Sequence, residues 1–245
     1  MATRSFFLRG CKAVDKNKKT YEEKAQETKK HSARLAEMQR YVDMSEEKRA
    51  LLLDLVINGR SSDSDEKLLD KGVIIYIKFL DVIAQVEQDF KDKGINVLVI
   101  QGKTSEKGRK EISQEFRGDP KSKVVLISRA AGESLNLQAT NEIFLYDIPD
   151  GPGAYGQVIG RICRSFSKFE NEGRSFYIHY VIVDETLDVY KPILLSSKKQ
   201  LEEDILHADT INLKGQGSFD GELLKKIRKD LLWKEKEKRK ASKNK

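Results

Sequence analysis

Two arginines one helical turn apart carry the strongest chemical signal in this chain of 245 residues. Arg161 and Arg164 close the run Gln157-Val158-Ile159-Gly160-Arg161-Ile162-Cys163-Arg164. A guanidinium presents a fixed fork of donors and stays charged at every relevant pH. Two of them behind Gly160 can aim at one phosphoryl group, and arginine brought to a transferring γ-phosphate stabilises the charge that develops there. Two ordinary arginines on a surface helix would show the same spacing, so the pair alone does not decide. A second phosphate-like signal fails sooner. Gly102-Lys103-Thr104 looks like the end of a P-loop, but that loop needs a glycine five positions earlier, where Val97 stands. The three histidines (His31, His179, His207) and two cysteines (Cys11, Cys163) are scattered. Neither a metal site nor a structural disulfide is expected from them, and His179, inside the apolar run FYIHYVIV, reads as a strand residue.

Composition narrows the class. Hydrophobic residues make up 38% and charged residues 35%, which implies a normal core flanked by polar arms. No apolar run approaches the ~20 residues that span a bilayer, and Phe6-Phe7-Leu8 is too short for the core of a signal peptide. An intracellular, non-secreted protein without a membrane partner is therefore expected. The net charge is +7, and from Glu222 to Lys245 eleven Lys/Arg face four Asp/Glu. The tail thus carries the whole excess. It suits a polyanion, nucleic acid first, and equally suits a solvated solubilising tail.

The pattern that must position the arginines is alternating. Lys16 to Arg40 is charged and helix-forming, with Leu35, Met38 and Tyr41 as a narrow apolar stripe. Ser45, followed by Glu46 and Glu47, opens a second helix that ends at Asn58-Gly59. The polar run RSSDSDEK then marks a boundary near Lys71. Val73 to Ile77, Asn96 to Ile100, Val124 to Ile127, Ile143 to Tyr146 and Tyr177 to Val183 read as buried strands. Asp81 to Lys93 and Ser105 to Phe116 read as helices between them. Near-continuous Val/Ile runs separated by helices predict a parallel sheet covered on both faces, with ligands at the carboxyl ends of its strands. A long helix is expected through Leu187, Leu194, Leu201 and Ile205. Beyond Gly215, Gly217 and Gly221, a basic segment aligns Leu224, Ile227 and Leu231, with Trp233 as a packing residue. The division expected is 1–70, a charged helical extension; 71–190, the lobe; and 191–245, a helical exit and basic tail.

From about Val73 to Asp188 the chain resembles the second RecA-like lobe of superfamily 2 helicases, and among them the Swi/Snf-type DNA translocases. Gln157 to Arg164 matches motif VI, Q-x-x-G-R-x-x-R. Ser128 to Gln138 resembles motif V, a Gly-rich loop ending in L-N-L-Q. Tyr146-Asp147, Pro149 and Pro152 match Y-D-x-P-x-x-P. Gly102, Arg109 and Phe116 match the helix after motif IV, itself Val73 to Ile77. Val183 to Asp188 resembles the family's strand-to-helix exit, with Asp188 for its glutamate. FFLRGCK echoes the inter-lobe F-x-L-R-R-x-K, broken at Gly10 and Cys11. Ser134 stands where many members have glycine, and Asp150-Gly151 replaces the usual Trp-Asn.

The resemblance implies roles. Arg161 and Arg164 would reach ATP across a cleft between two lobes, Arg164 as the finger. Gln157, Gly160, Gly132 and Glu133 would line that cleft, while Ser128, Asn136, Gly102 and Arg109 would face nucleic acid, double-stranded DNA first. The chain contains neither a P-loop nor a D-E-x-x box. ATP with Mg²⁺ is therefore expected only with a partner that carries the first lobe, and the chain alone is expected to be inactive. The expected function is the C-terminal half of an ATP-dependent DNA helicase or translocase, encoded separately or truncated. The alternative is a non-catalytic nucleic-acid-binding half-helicase that acts through its basic tail.

Overall fold

The computed structural model describes residues 2–8, 31–129, 137–160 and 172–207, with side chains for 35–129, 137–160 and 172–200. Of the residues singled out above, Gly132, Glu133, Asn136, Arg161 and Arg164 lie outside this set, as does the basic tail.

Among the described residues six strands form one sheet: β1 (Ala2–Leu8), β2 (Val73–Tyr76), β3 (Asn96–Ile100), β4 (Lys123–Ile127), β5 (Glu142–Leu145) and β6 (Tyr177–Val183). Their order is β1-β6-β5-β2-β4-β3, and every pairing is parallel. All of β2 and β5 is buried, as a sheet covered on both sides requires. Alternate residues serve the two faces. Val73, Ile75, Val124, Leu126 and Phe144 meet Leu52, Val56, Val82, Ile83, Val86 and Phe90 on one side. Ile74, Tyr76, Val125, Ile127, Ile143 and Leu145 meet Phe116, Val158 and Ile159 on the other. The helices behind these contacts are α1 (His31–Met44), α2 (Glu46–Asn58), α4 (Leu80–Asp92), α5 (Glu106–Gly118) and α6 (Pro152–Ile159). The set is completed by the single turn α3 (Leu68–Lys71) and the exit helix α7 (Lys191–His207). Ser45 and Ser105 cap α2 and α5 by accepting from the Lys48 and Gly108 amides. Gly72 enters β2 at φ +76°, and a Cβ there would come within 2.5 Å of the Pro120 carbonyl oxygen, so both the turn and the close approach require glycine.

Three expectations change. The division at Lys71 does not separate two bodies of packing, because Leu52 and Val56 of α2 lie in the same core as the sheet. The segment 2–8 is a strand, paired with β6 over seven residues from Ala2↔Tyr177 to Leu8↔Val183. Finally, α7 starts at Lys191 and not at Leu187. Thr186 caps a short 3₁₀ turn over Leu187–Val189, and Pro192 has no N–H to continue a helix from Asp188.

The expected apolar stripe of α1 is only half-buried, whereas Gln39, Val42 and Asp43 are buried. The reason is a buried charge cluster. Lys48, fully enclosed, places its Nζ 2.7 Å from Asp43 and 2.7 Å from Asp188, and 4.6 Å from the centre of the Tyr146 ring. Gln39 donates to both carboxylates, at 2.9 and 2.6 Å. The Asp188 carboxylate also accepts from the Val183 amide, and the Tyr146 hydroxyl donates to the Asp43 carbonyl at 2.6 Å. Burial works against the Lys48 charge, but Asp188 and Asp43 outweigh it and hold the ammonium above its ordinary range. Burial likewise pushes the Asp43 carboxyl up to about 7 against the pull of Lys48.

The amino edge of the sheet is closed by a second polar cluster. His179, stacked on Phe144 with 4.5 Å between ring centres, shares a 2.7 Å hydrogen bond with Glu142. Ser61 Oγ and the Ser62 amide donate to the same Glu142 carboxylate. Asp63 accepts from Lys71, Arg174 and Asn141. Burial alone would raise the Asp63 carboxyl, but the bonds from Lys71, Ser61, Arg174 and Asn141 hold it well below the usual range.

Removing one partner of a fully buried ion cluster leaves uncompensated charge. Lys48→Met is therefore expected to cost about 3–5 kcal/mol in urea denaturation. Arg40→Ala, which opens the exposed Arg40–Asp81 pair, should cost under about 1 kcal/mol. The depressed Asp63 stabilises the fold above its unfolded pKa of about 3.9, and this contribution is lost as pH falls through the lower folded value. Asp63→Asn should lower the urea midpoint at neutral pH and flatten its decline on acidification.

Candidate nucleic-acid and nucleotide interface

Because all strands are parallel, their carboxyl ends and the loops that follow share one edge. From β2 the chain passes outward to β3, returns to β4, and then crosses to β5 on the opposite side of β2. The chain therefore leaves β2 toward one side of the sheet and β5 toward the other, the kind of switch point where open α/β sheets bind ligands.

Ser128 stands one residue past β4. Its amide donates to the Ile100 carbonyl at 3.1 Å, and the Ile77 amide donates to Ile127 at 3.0 Å, so the ladder runs one step beyond the strands. Ser128 is 4% exposed, and its hydroxyl is buried without a hydrogen-bond partner among the described residues. Other buried side-chain atoms share this state, Asp147 Oδ2 and Asn141 Oδ1 among them. The polar loop after β4 begins at this point.

Gly102 and Arg109 meet at the end of β3. The Arg109 guanidinium donates to the carbonyls of Thr104, Gln101 and Gly102 at 2.9, 3.3 and 3.2 Å. The Thr104 hydroxyl accepts from the Gln101 amide. Arg109 thus ties the 101–104 turn to α5. Val97 lies within β3, so the Gly102-Lys103-Thr104 turn lacks the first half of a P-loop.

Gln157 and Gly160 sit on and at the end of α6. Gln157 is exposed, while Val158 and Ile159 face the core. Gly160 donates to the Gly156 carbonyl at 2.8 Å and leads directly into Arg161. The helix is anchored by a 2.8 Å bond between the Tyr155 and Tyr180 hydroxyls. Pro149 and Pro152 bracket its start, and Pro152 at the first helical position suits a turn whose amide has no partner.

Three lysines of this edge went unassigned in the sequence. Lys78, just past β2, pairs with Asp150 at 3.0 and 2.7 Å. Lys191 pairs with the buried Asp147, and Lys198 donates to the Asp150 carbonyl at 3.1 Å. Burial raises the Tyr76 hydroxyl, and so do the nearby Asp147 and Asp150 charges, against a smaller opposing effect of Arg129. Charges from the loops after β4 and β5 therefore converge on the end of β2. Asp147 was visible in the Y-D-x-P segment, and Lys78 as the first charge after an apolar run. Nothing in the local sequence marked Lys191 or Lys198.

A six-stranded parallel sheet with helices on both faces and its polar loops gathered at one edge defines a RecA-like lobe. Residues 47–166 match the helicase conserved C-terminal domain. The chain is 28% identical over 151 residues to the DNA repair protein RAD5B of Arabidopsis thaliana, an alignment covering 56% of this chain and 11% of that protein. It is 28% identical over 141 residues to the uncharacterized ATP-dependent helicase YqhH of Bacillus subtilis, covering 57% and 24%. The crystal structure of the C-terminal part of the Fun30 ATPase domain superposes with a TM-score of 0.51 at 18% identity, over 74% of this chain and 52% of that one. The chain carries the C-terminal lobe of a superfamily 2 helicase. It spans between 11% and 24% of the length of these curated relatives.

If Arg109 serves the loop, its loss is felt without any ligand. Arg109→Ala is expected to cost about 1–2 kcal/mol in urea denaturation, from three carbonyls returned to water at a half-exposed site.

Proposed function

We propose that this lobe forms the second wall of an ATPase cleft in an ATP-dependent DNA translocase or helicase, supplying motifs IV to VI and the arginine finger. The first wall, with the P-loop and the Mg²⁺ ligands, comes from a separate first lobe. The observation that carries the reading is the helicase C-terminal domain match over 47–166, which takes in Gln157, Gly160, Arg161 and Arg164. Arg164 acts as the finger on the γ-phosphate and Arg161 as its companion, with Gln157, Gly160, Gly132 and Glu133 lining the cleft. Ser128, Asn136, Gly102 and Arg109 form the nucleic-acid side, and the unsatisfied Ser128 hydroxyl supports a phosphate there. Double-stranded DNA is the favoured track and the cell interior the place of action. A relative whose name is that of a DNA repair protein supports this choice.

A lobe without a P-loop cannot hold ATP and Mg²⁺ by itself. The pure chain is therefore expected to show no ATPase activity, and measurable turnover in it would defeat the proposal. In an assembly with a first-lobe protein, Arg164→Ala should reduce steady-state turnover by about 10³-fold or more while nucleotide binding survives. Unchanged turnover would refute the finger role.

The charge excess of Glu222 to Lys245 favours a second reading, a non-catalytic nucleic-acid-binding half-helicase. It requires salt-sensitive DNA binding that ATP leaves unaltered and that is lost with the tail.

A further inference from the structure

Among the described residues the sheet ends at β3, whose far side borders no other strand. Its run Asn96-Val97-Leu98-Val99-Ile100 carries no charge and no proline, and it pairs with β4 without a bulge. Edges are usually blunted by such devices. Val97, Leu98 and Val99 are only half-buried, the two valines on the α4 side of the sheet and Leu98 on the other. The Ser128 amide donates to the Ile100 carbonyl, so Ile100, Leu98 and Asn96 turn their backbone groups toward β4. Val97 and Val99 turn theirs outward, one amide and one carbonyl each. Both ends of this row are closed. The Ile95 amide donates to the Phe90 carbonyl, and the Gln101 amide to the Thr104 hydroxyl. Four outward groups with defined ends make a template for an added strand.

Two exposed lysines bracket the template, Lys93 after α4 and Lys103 after β3. Among the described residues neither pairs with a carboxylate, whereas nearby Lys91 holds Glu87 and Lys110 holds Glu106. They disfavour a second copy of the chain as the occupant. The antiparallel register that uses all four groups sets Val97 against Val99 of that copy. It also brings Lys93 toward Lys103 of the same copy, like charge against like. A strand with carboxylates at both ends meets attraction there instead.

We propose that β3 takes up an extended segment of a partner protein, apolar at its centre and acidic at both ends, as an added strand. Backbone bonds to Val97 and Val99 hold it, and its alternate side chains cover the valines on one face and Leu98 on the other. Its end carboxylates meet Lys93 and Lys103. This surface does not depend on the nucleotide or nucleic-acid reading above.

Calorimetric titration of the full chain with the synthetic peptide EEVTVTVEE tests it. Saturable binding is expected. N-methylation of alternate central residues should abolish binding in one phase and spare it in the other, because only every second amide faces β3. Lys93→Glu and Lys103→Glu should each weaken binding about threefold or more, and the double variant should prefer KKVTVTVKK. Absence of saturable binding overturns the inference, as does binding indifferent to the phase of methylation. Equal binding of KKVTVTVKK to the wild type overturns it too. Dimerisation of the wild-type chain that excludes the peptide makes the edge a contact between copies and also overturns it. If the lysine variants weaken binding of a labelled DNA duplex and leave the peptide untouched, the lysines serve nucleic acid and the inference falls.

Discussion

The lobe is held in one arrangement by Lys48. Its ammonium joins Asp43 at the end of α1 to Asp188 at the exit of β6, itself 140 positions from Lys48 along the chain. Apolar packing alone would let α1 and α2 slide on the sheet, since dispersion and burial are not directional. A lysine enclosed between two carboxylates, with Gln39 and the Val183 amide filling further acceptor positions, permits only one register. The cluster is costly to bury, so its contribution lies in specificity more than in net stability. It also brings the start of the exit segment to the same place every time, and Lys191 and Lys198 then reach the loop after β5.

The two edges of the sheet use polar groups in opposite ways. At the amino edge Glu142, His179, Ser61, Asp63, Lys71 and Arg174 largely satisfy one another, and the edge is a closed structural seam. At the carboxyl edge Ser128 has a buried hydroxyl with no partner, and Lys78 holds a half-exposed carboxylate. Buried side-chain atoms without a partner occur at both edges, Asn141 Oδ1 at the first and Asp147 Oδ2 at the second.

Much of this was legible in the sequence. The runs at Val73, Asn96, Val124, Ile143 and Tyr177 became strands because buried parallel strands are apolar throughout, a local signal. The cap at Ser45 was readable for the same reason. What stayed hidden depends on distant partners. Gln39 and Asp43 lie off the apolar stripe expected for α1, and it is Lys48 and Asp188 that make their burial tolerable. Segment 2–8 reads as a strand only when β6 is beside it. The helix expected from Leu187 was interrupted by Pro192, which local reading could have weighed. At the site, motif residues fell at the ends of β3 and β4 and on α6, but the ion pairs of Lys78 and Lys191 needed three-dimensional proximity.

The pairing of β1 with β6 has a consequence for synthesis. Ala2 and Tyr177 are 175 positions apart, and among the described residues β1 pairs with β6 alone. At roughly 5–20 residues per second, about 10–35 s separate the emergence of the first strand from that of its partner. During that interval the backbone of β1 lacks the strand it pairs with. This pairing therefore forms late, and for those seconds a ribosome-bound chaperone has a defined segment to shield.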